Sequence, residues 1–219
     1  MMVYFNLEAI PEQIETVIAV GKFDGVHRGH QRIIRAVVQR AKELGVTPAV
    51  VTFDRSPASL LKINSGDRLI TTLPEKINQL QSLGVEATIV LQFLPEIAAM
   101  TPREFIQRIL VGRLHIREIH EGSDFRFGAN ASGDSRQLIE MGGECGFGVQ
   151  IHDPVLVDGG VVSSTRIRNL LREGNFRIAA RLLHDDTNWS PSKVNVGKIG
   201  AYQDIASFTS TGGQRDNRY

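Results

Sequence analysis

Short apolar runs alternate along the chain with stretches in which apolar residues recur every three or four positions, a pattern that predicts strands and helices in turn. Val17 to Gly21 (VIAVG) reads as a buried strand, and behind it Ile33, Ile34, Val37, Val38, Ala41 and Leu44 mark one face of a helix. Ala49 to Phe53 (AVVTF) gives a second strand. Thr72 and Pro74 open a helix with Leu73, Ile77, Leu80 and Leu83 on one side, which Gly84 stops. A third strand, Ala87 to Phe93, precedes a second Thr-Pro start at Thr101-Pro102, a helix with Phe105, Ile109 and Leu110 inward, and a strand near Ile116 to His120. A strand-helix unit repeated three times predicts an α/β architecture. Its parallel sheet carries helices on both faces and collects ligands at the carboxyl ends of the strands.

Beyond residue 120 glycine-rich turns dominate, at Gly122 to Gly133 and Gly142 to Gly148, with a short strand near Val149. Ser164 to Arg172 and Asn175 to His184 read as two short helices, each with a cap-forming residue at its start. From Asp185 the chain is rich in Ser, Thr, Gly, Asn and Asp without a sustained period, so residues 1–184 are expected to form the domain and 185–219 a flexible tail or truncated remnant. With 25 Lys+Arg against 24 Asp+Glu, the formal charge of +1 argues against a dedicated nucleic-acid or acidic-membrane binder. Cys145 is the only cysteine, which excludes an internal disulfide and a cysteine zinc site. No apolar run approaches the roughly 20 residues that cross a bilayer, and a cytoplasmic location is the expectation.

The sharpest local feature lies between the first strand and the first helix: Gly21-Lys22-Phe23-Asp24-Gly25-Val26-His27-Arg28-Gly29-His30. It is neither a Walker A loop nor a GxGxxG fingerprint, but Gly21, Gly25 and Gly29 let backbone approach a ligand, and the helix start offers unpaired N–H groups to phosphate. His27 and His30, three residues apart, share a face there and can donate to polyphosphate oxygens. A surface turn with two incidental histidines is the competing reading, and the position after strand one weighs against it. A second feature, Ser163-Ser164-Thr165-Arg166-Ile167-Arg168, sets three hydroxyls at a helix start ahead of two arginines. Alone it is better explained by an ordinary N-cap with solvated arginines. Paired with the first site, it suits a triphosphate-cleaving transferase.

Gly21 to His30 is similar to the GxFDGxHxGH motif of the HxGH nucleotidyltransferases, and specifically of the bacterial FAD synthetase family. Gly122-Ser123-Asp124-Phe125-Arg126-Phe127-Gly128, Ser163 to Arg168, and Thr71 to Lys76 with Leu83-Gly84-Val85 also resemble family sequence, in the expected order. The resemblance covers roughly residues 15 to 184. It implies a Rossmann-like fold and transfer of AMP from ATP to the phosphate of FMN, giving FAD and pyrophosphate, with Mg2+ bridging phosphate oxygens. His27, His30, Asp124 and Arg168 are the implied catalytic set. Gly21, Phe23, Asp24, Gly25, Gly29, Ser163, Ser164, Thr165 and Arg166 are the implied nucleotide-binding set, and no protein metal site is expected. Asp24 is as well explained as a turn-stabilising side chain, and Phe125 and Phe127, which could pack beside a ring, are better explained as core residues.

The chain departs from the family pattern in two places. Asp54-Arg55-Ser56-Pro57 stands where the family shows Pro-His-Pro, and nothing after His184 resembles the riboflavin kinase domain, so riboflavin phosphorylation is expected to be absent. Two other readings stay open: an HxGH enzyme with a different phosphate acceptor, and a catalytically weak nucleotide- or flavin-binding paralogue with a regulatory role.

Overall fold

The computed structural model describes residues 1–54, 69–92 and 94–184. Residues Arg55, Ser56 and Pro57 and the segment 185–219, on which two of the expectations above fall, lie outside the described residues.

The core of the molecule is a six-stranded, all-parallel sheet. Its strands are β1 (Met2–Tyr4), β2 (Thr16–Val20), β3 (Thr47–Phe53), β4 (Ala87–Leu91), β5 (Ile116–Gly122) and β8 (Gly148–His152), in the order β1-β4-β3-β2-β5-β8. β1 was not among the predicted strands; it adds to β4 with Met2 opposite Ala87. Two-residue ladders, β6 (Arg126–Phe127) with β7 (Gly133–Asp134) and β9 (Leu156–Val157) with β10 (Gly160–Val161), brace the glycine-rich region.

Central strands that are buried on both faces explain the unbroken apolar runs. Val17 and Ala19 of β2 and Val50 of β3 pack against Ile34, Val37 and Ala41 of helix α1 (Arg28–Leu44) and Leu80 of α2 (Leu73–Ser82). Ile18, Val20, Ala49 and Val51 point the other way, to Phe105, Ile106, Ile109 and Leu110. Those four lie on a π-helical segment, Phe105–Val111, that continues α4 (Pro102–Glu104) and follows a single turn, α3 (Pro95–Ala98). Leu138 of α5 (Ser135–Cys145) joins the same face. A third cluster unites Ile70, Val157 and Val162 with the last two helices, α6 (Ser164–Arg172) and α7 (Phe176–Leu183).

The caps act largely as the sequence predicts. Thr72 and Thr101 each form a reciprocal box with the glutamate three residues on, and Gly45 ends α1 in the left-handed region. Asn175 differs: its side chain makes no capping hydrogen bond, and the start of α7 is held instead by packing. No described helix is long and apolar enough to cross a membrane.

α1 leaves β2 on one face and α5 leaves β5 on the other, so the adjacent carboxyl ends of β2 and β5 form the topological switch point where such sheets bind ligands. The β2–β5 ladder runs only to Ile18 opposite Ile119. Past it the N–H of Val20 donates to Oε1 of Glu121 at 2.6 Å, so one side chain fills the gap between the parting strands.

Candidate active site

The loop from Gly21 to His27 crosses this switch point in a constrained path. Of its glycines only Gly25 has a positive φ, 83°. The unusual conformations fall on Phe23 (φ 47°) and Val26 (φ 37°), a strained choice for a β-branched residue that the surroundings must enforce. Gly21 and Gly29 serve by what they lack. A Cβ on Gly21 would sit 3.2 Å from the Phe23 ring, and one on Gly29 would sit 3.2 Å from Cε1 and Nδ1 of His27.

Asp24 locks the loop in place. Its carboxylate is buried; Oδ1 accepts the N–H groups of Ile70 (3.0 Å) and Thr71 (3.1 Å), and Oδ2 accepts from Nη2 of Arg168 at 2.7 Å. The Asp24 carbonyl accepts from Oγ of Ser164 at 2.9 Å, and the N–H of Gly25 donates to Oγ1 of Thr71 at 3.0 Å. The two motifs met separately in the sequence are therefore one unit, with the start of α6 bonded to the loop that starts α1.

His27 is the N-cap of α1. It is buried, and its Nδ1 accepts the N–H of His30 at 3.3 Å. The two rings stack 3.6 Å apart at 15°, and Phe23 meets His30 edge-on at 5.1 Å. Burial pulls the His27 pKa down from 6.5 to about 4, and burial together with the neighbouring His27 and Lys76 holds His30 well below its ordinary value. Both imidazoles are thus neutral near pH 7, and Nδ1 of His30 is buried without a hydrogen-bond partner. A desolvated, unpartnered nitrogen at a helix N-terminus suits an incoming anion.

The remaining predicted residues fall into two groups. Asp124 is exposed and close enough to His27 to bias its titration, and Thr165 is exposed at the first turn of α6. Ser163, Arg166 and Arg168 are engaged within the protein. Ser163 Oγ caps the N–H of Arg166 at 3.2 Å. Nη1 of Arg166 donates to the carbonyls of Val157 (3.0 Å), Gly160 (2.7 Å) and Val161 (3.3 Å), closing the β9–β10 hairpin onto α6. Arg168 is turned to Asp24. In this state neither guanidinium faces outward as a helix-start arginine in solvent would.

Two features were not among the sequence candidates. A cleft of about 890 Å³ opens beside Gly21 and Lys22, on the sheet face opposite α1, walled by Phe53, Ile97, Phe105, Phe125 and Phe127 with Asn130 at its polar edge. Phe125 and Phe127 stack 5.4 Å apart, so they serve both the core and this wall. The second is Lys76 of α2, whose buried ammonium hydrogen-bonds Oγ1 of Thr52 at 3.2 Å. A lysine in an otherwise ordinary helix pattern carries no local signal of burial. The described residues include no group of three His, Cys, Asp or Glu side chains able to hold a metal ion.

Fold and site together define a Rossmann-like α/β protein with an HxGH helix start at the switch point and an apolar cleft beside it. The FAD synthetase family model matches residues 9–166, and the chain belongs to that family. It is 33% identical over 196 residues to the bifunctional riboflavin kinase/FMN adenylyltransferase of Escherichia coli K12, covering 89% of this chain and 62% of that protein. The Pseudomonas fluorescens protein of the same description is 36% identical over 173 residues, 79% of this chain and 55% of its own. The chain thus spans about three fifths of the length of these curated relatives. Among solved structures, the crystal structure of a macrolide-efflux protein from Streptococcus pneumoniae superposes with a TM-score of 0.74 at 29% identity, over 83% of this chain and 60% of that one.

Proposed function

We propose that this chain is an FMN adenylyltransferase, joining AMP from ATP to the phosphate of FMN to give FAD and pyrophosphate. The carrying observation is the juxtaposition of the stacked histidine pair at the start of α1, a buried His27 and a half-buried His30, with an aromatic-walled cleft of about 890 Å³ across the carboxyl end of β2. That volume and apolar lining suit a flat ring system of flavin size. The helix start suits a triphosphate.

In this reading an FMN phosphate oxygen attacks the α-phosphorus in line with the departing pyrophosphate, and no protein nucleophile takes part. The protein positions the two phosphates and offsets the charge that gathers on the leaving group. His30 and His27 donate to phosphate oxygens, the backbone N–H of Gly29 adds its own, and Thr165 at the start of α6 meets the outer phosphates. Gly21, Gly25 and Gly29 keep the backbone close. Asp24, Arg168 and Ser164 hold the two helix starts at fixed separation, Arg166 holds the β9–β10 hairpin on α6, and Phe23 fixes the His30 ring. The exposed Asp124 carboxylate would hold Mg2+, directly or through its waters. When bound, the ion neutralises phosphate charge.

Incubation of the purified protein with ATP, Mg2+ and FMN, and in parallel with riboflavin, tests the proposal. FAD and pyrophosphate from FMN are expected. No FAD from FMN, with ATP still bound, would favour a binding paralogue or another acceptor.

A further inference from the structure

Lys76 is buried, with 8% of its surface exposed, although it sits on a surface helix from which a four-carbon stem ordinarily reaches solvent. It lies in the first turns of α2, where the helix dipole disfavours a cation. Among the described residues its hydrogen-bond partner is a neutral hydroxyl, Thr52 Oγ1, and no carboxylate lies within ion-pair distance of it. Burial pulls the Lys76 pKa below its ordinary 10.5, and Asp24 opposes this from longer range, its own oxygens being already committed to Arg168, Ile70 and Thr71. An ammonium so placed costs folding free energy, since buried cations are tolerated when paired. The cost falls on a lysine in one particular place. Thr52, one residue before the end of β3 and just past its last pairing with β2, donates in turn to the carbonyl of Lys22, in the loop between β2 and α1. Lys76 also acts electrostatically on His30. The ammonium therefore stands behind the loop that separates the histidine pair from the mouth of the cleft.

We propose that Lys76 contacts the phosphate groups of the bound nucleotide at the point of transfer and supplies the fixed positive charge of the site. The two histidines, neutral without ligand, provide donors but no net charge, and Arg166 and Arg168 of α6 are turned to protein partners. Among the described residues Lys76 is the lysine or arginine that is buried outright, and its ammonium bonds a neutral hydroxyl. It takes no part in bond making; it offsets charge as the pyrophosphate departs. The proposal rests on the adenylyl-transfer reading, and its test separates the two.

The full chain and its Lys76→Met and Lys76→Arg variants are compared in three measurements: thermal unfolding, calorimetric binding of inorganic pyrophosphate, and steady-state FAD formation from ATP, Mg2+ and FMN. Lys76→Met is expected to unfold at the wild-type temperature or above, because it replaces an unpaired buried charge by an apolar chain of similar length. It should bind pyrophosphate at least tenfold more weakly and lower kcat by about a hundredfold, the loss typical of one preorganised electrostatic contact. Lys76→Arg should recover part of both. Unchanged pyrophosphate affinity and kcat in Lys76→Met would overturn the proposal. So would losses that track a lowered unfolding temperature, which would make Lys76 a prop for the Lys22 loop. If Lys76→Met does not fold, Lys76→Gln, which keeps a donor for Thr52 and drops the charge, gives the same comparison. Failure of the wild type to make FAD would sink the adenylyl-transfer reading, while the pyrophosphate comparison would still decide on Lys76.

Discussion

Arg168 and Asp24 are 144 residues apart in the chain, yet Nη2 of the arginine lies 2.7 Å from Oδ2 of the aspartate, both side chains almost wholly buried. The pair ties the start of α6 to the loop before α1, and the spacing of the two helix N-termini depends on it.

Neutralising one partner of such a pair leaves the other charge buried. Asp24→Asn keeps an oxygen for the N–H groups of Ile70 and Thr71 and removes the charge that answers Arg168. A loss of about 3–5 kcal/mol in urea unfolding is expected, and the double variant Asp24→Asn/Arg168→Met should recover part of it because no charge is then stranded. If the double variant were as unstable as the sum of the two single variants, the pair would not be the coupling element.

Gly29 separates folding from function. Its place in the first turn of α1 would ordinarily favour alanine by roughly 0.5–1 kcal/mol. A Cβ there, however, would sit 3.2 Å from the His27 ring and push the imidazole off its stack with His30. Gly29→Ala should leave the unfolding temperature unchanged or higher and lower kcat/KM by about 10²-fold, the cost of a small misplacement at a reacting centre. Wild-type turnover in a stable variant would show that the ring position is immaterial.

The free protein should show an unusually acidic His27. With a folded-state value of about 4 against 6.5, the unfolded chain binds a proton between those values that the native state does not. The stabilisation is complete above 6.5 and is lost as pH falls towards 4, an interval equivalent to about 3 kcal/mol. His27→Asn keeps a cap acceptor for the His30 N–H and should flatten that part of the wild-type stability curve. NMR titration of the His27 ring should give a midpoint near 4 that pyrophosphate moves upward, since an adjacent anion favours the imidazolium. A midpoint near 6.5 without ligand would contradict the buried placement.

Local pattern carried most of the architecture. The predicted strands at Val17, Ala49, Ala87, Ile116 and Val149 all exist; the first three are apolar runs buried on both faces, whereas β5 is interrupted by polar residues and the edge strand β8 is only partly buried, and the helices at Thr72 and Thr101 open at their predicted caps while α5, capped by Asp134, lay hidden in a glycine-rich stretch. β1 escaped because three residues, MVY, hold no period, and its pairing with β4 is a tertiary fact. The HxGH motif was legible because glycine spacing and histidine phase are local. The partners of Arg166 and Arg168 were not: a helix-start arginine looks the same whether it meets phosphate, a hairpin carbonyl or an aspartate 144 residues away. The aromatic cleft draws on β3, the π-helical segment and the loop after β5, so no window of sequence contains it.

Glu121 offers the last test, because its charge was invisible as a problem until the strands were seen to part. Burial holds its carboxyl well above the ordinary 4.5, while the N–H of Val20 on Oε1 works in the opposite direction but less strongly. A carboxyl with a raised folded-state pKa contributes stability that is fully present below 4.5 and is lost as pH rises towards its folded value. Glu121→Gln keeps an oxygen for Val20 and cannot ionise. Its stability relative to wild type should therefore climb with pH from about 4.5 upward and level off once the wild-type carboxyl has ionised, a trend read by chemical denaturation at successive pH values. FAD formation near neutral pH should be retained, since the hydrogen bond that sets the start of the Gly21 loop survives. Glu121→Ala, which loses that bond, should lower both stability and turnover. Parallel stability curves for wild type and Glu121→Gln would show that the carboxyl titrates normally, and the gap between β2 and β5 would then be open to water.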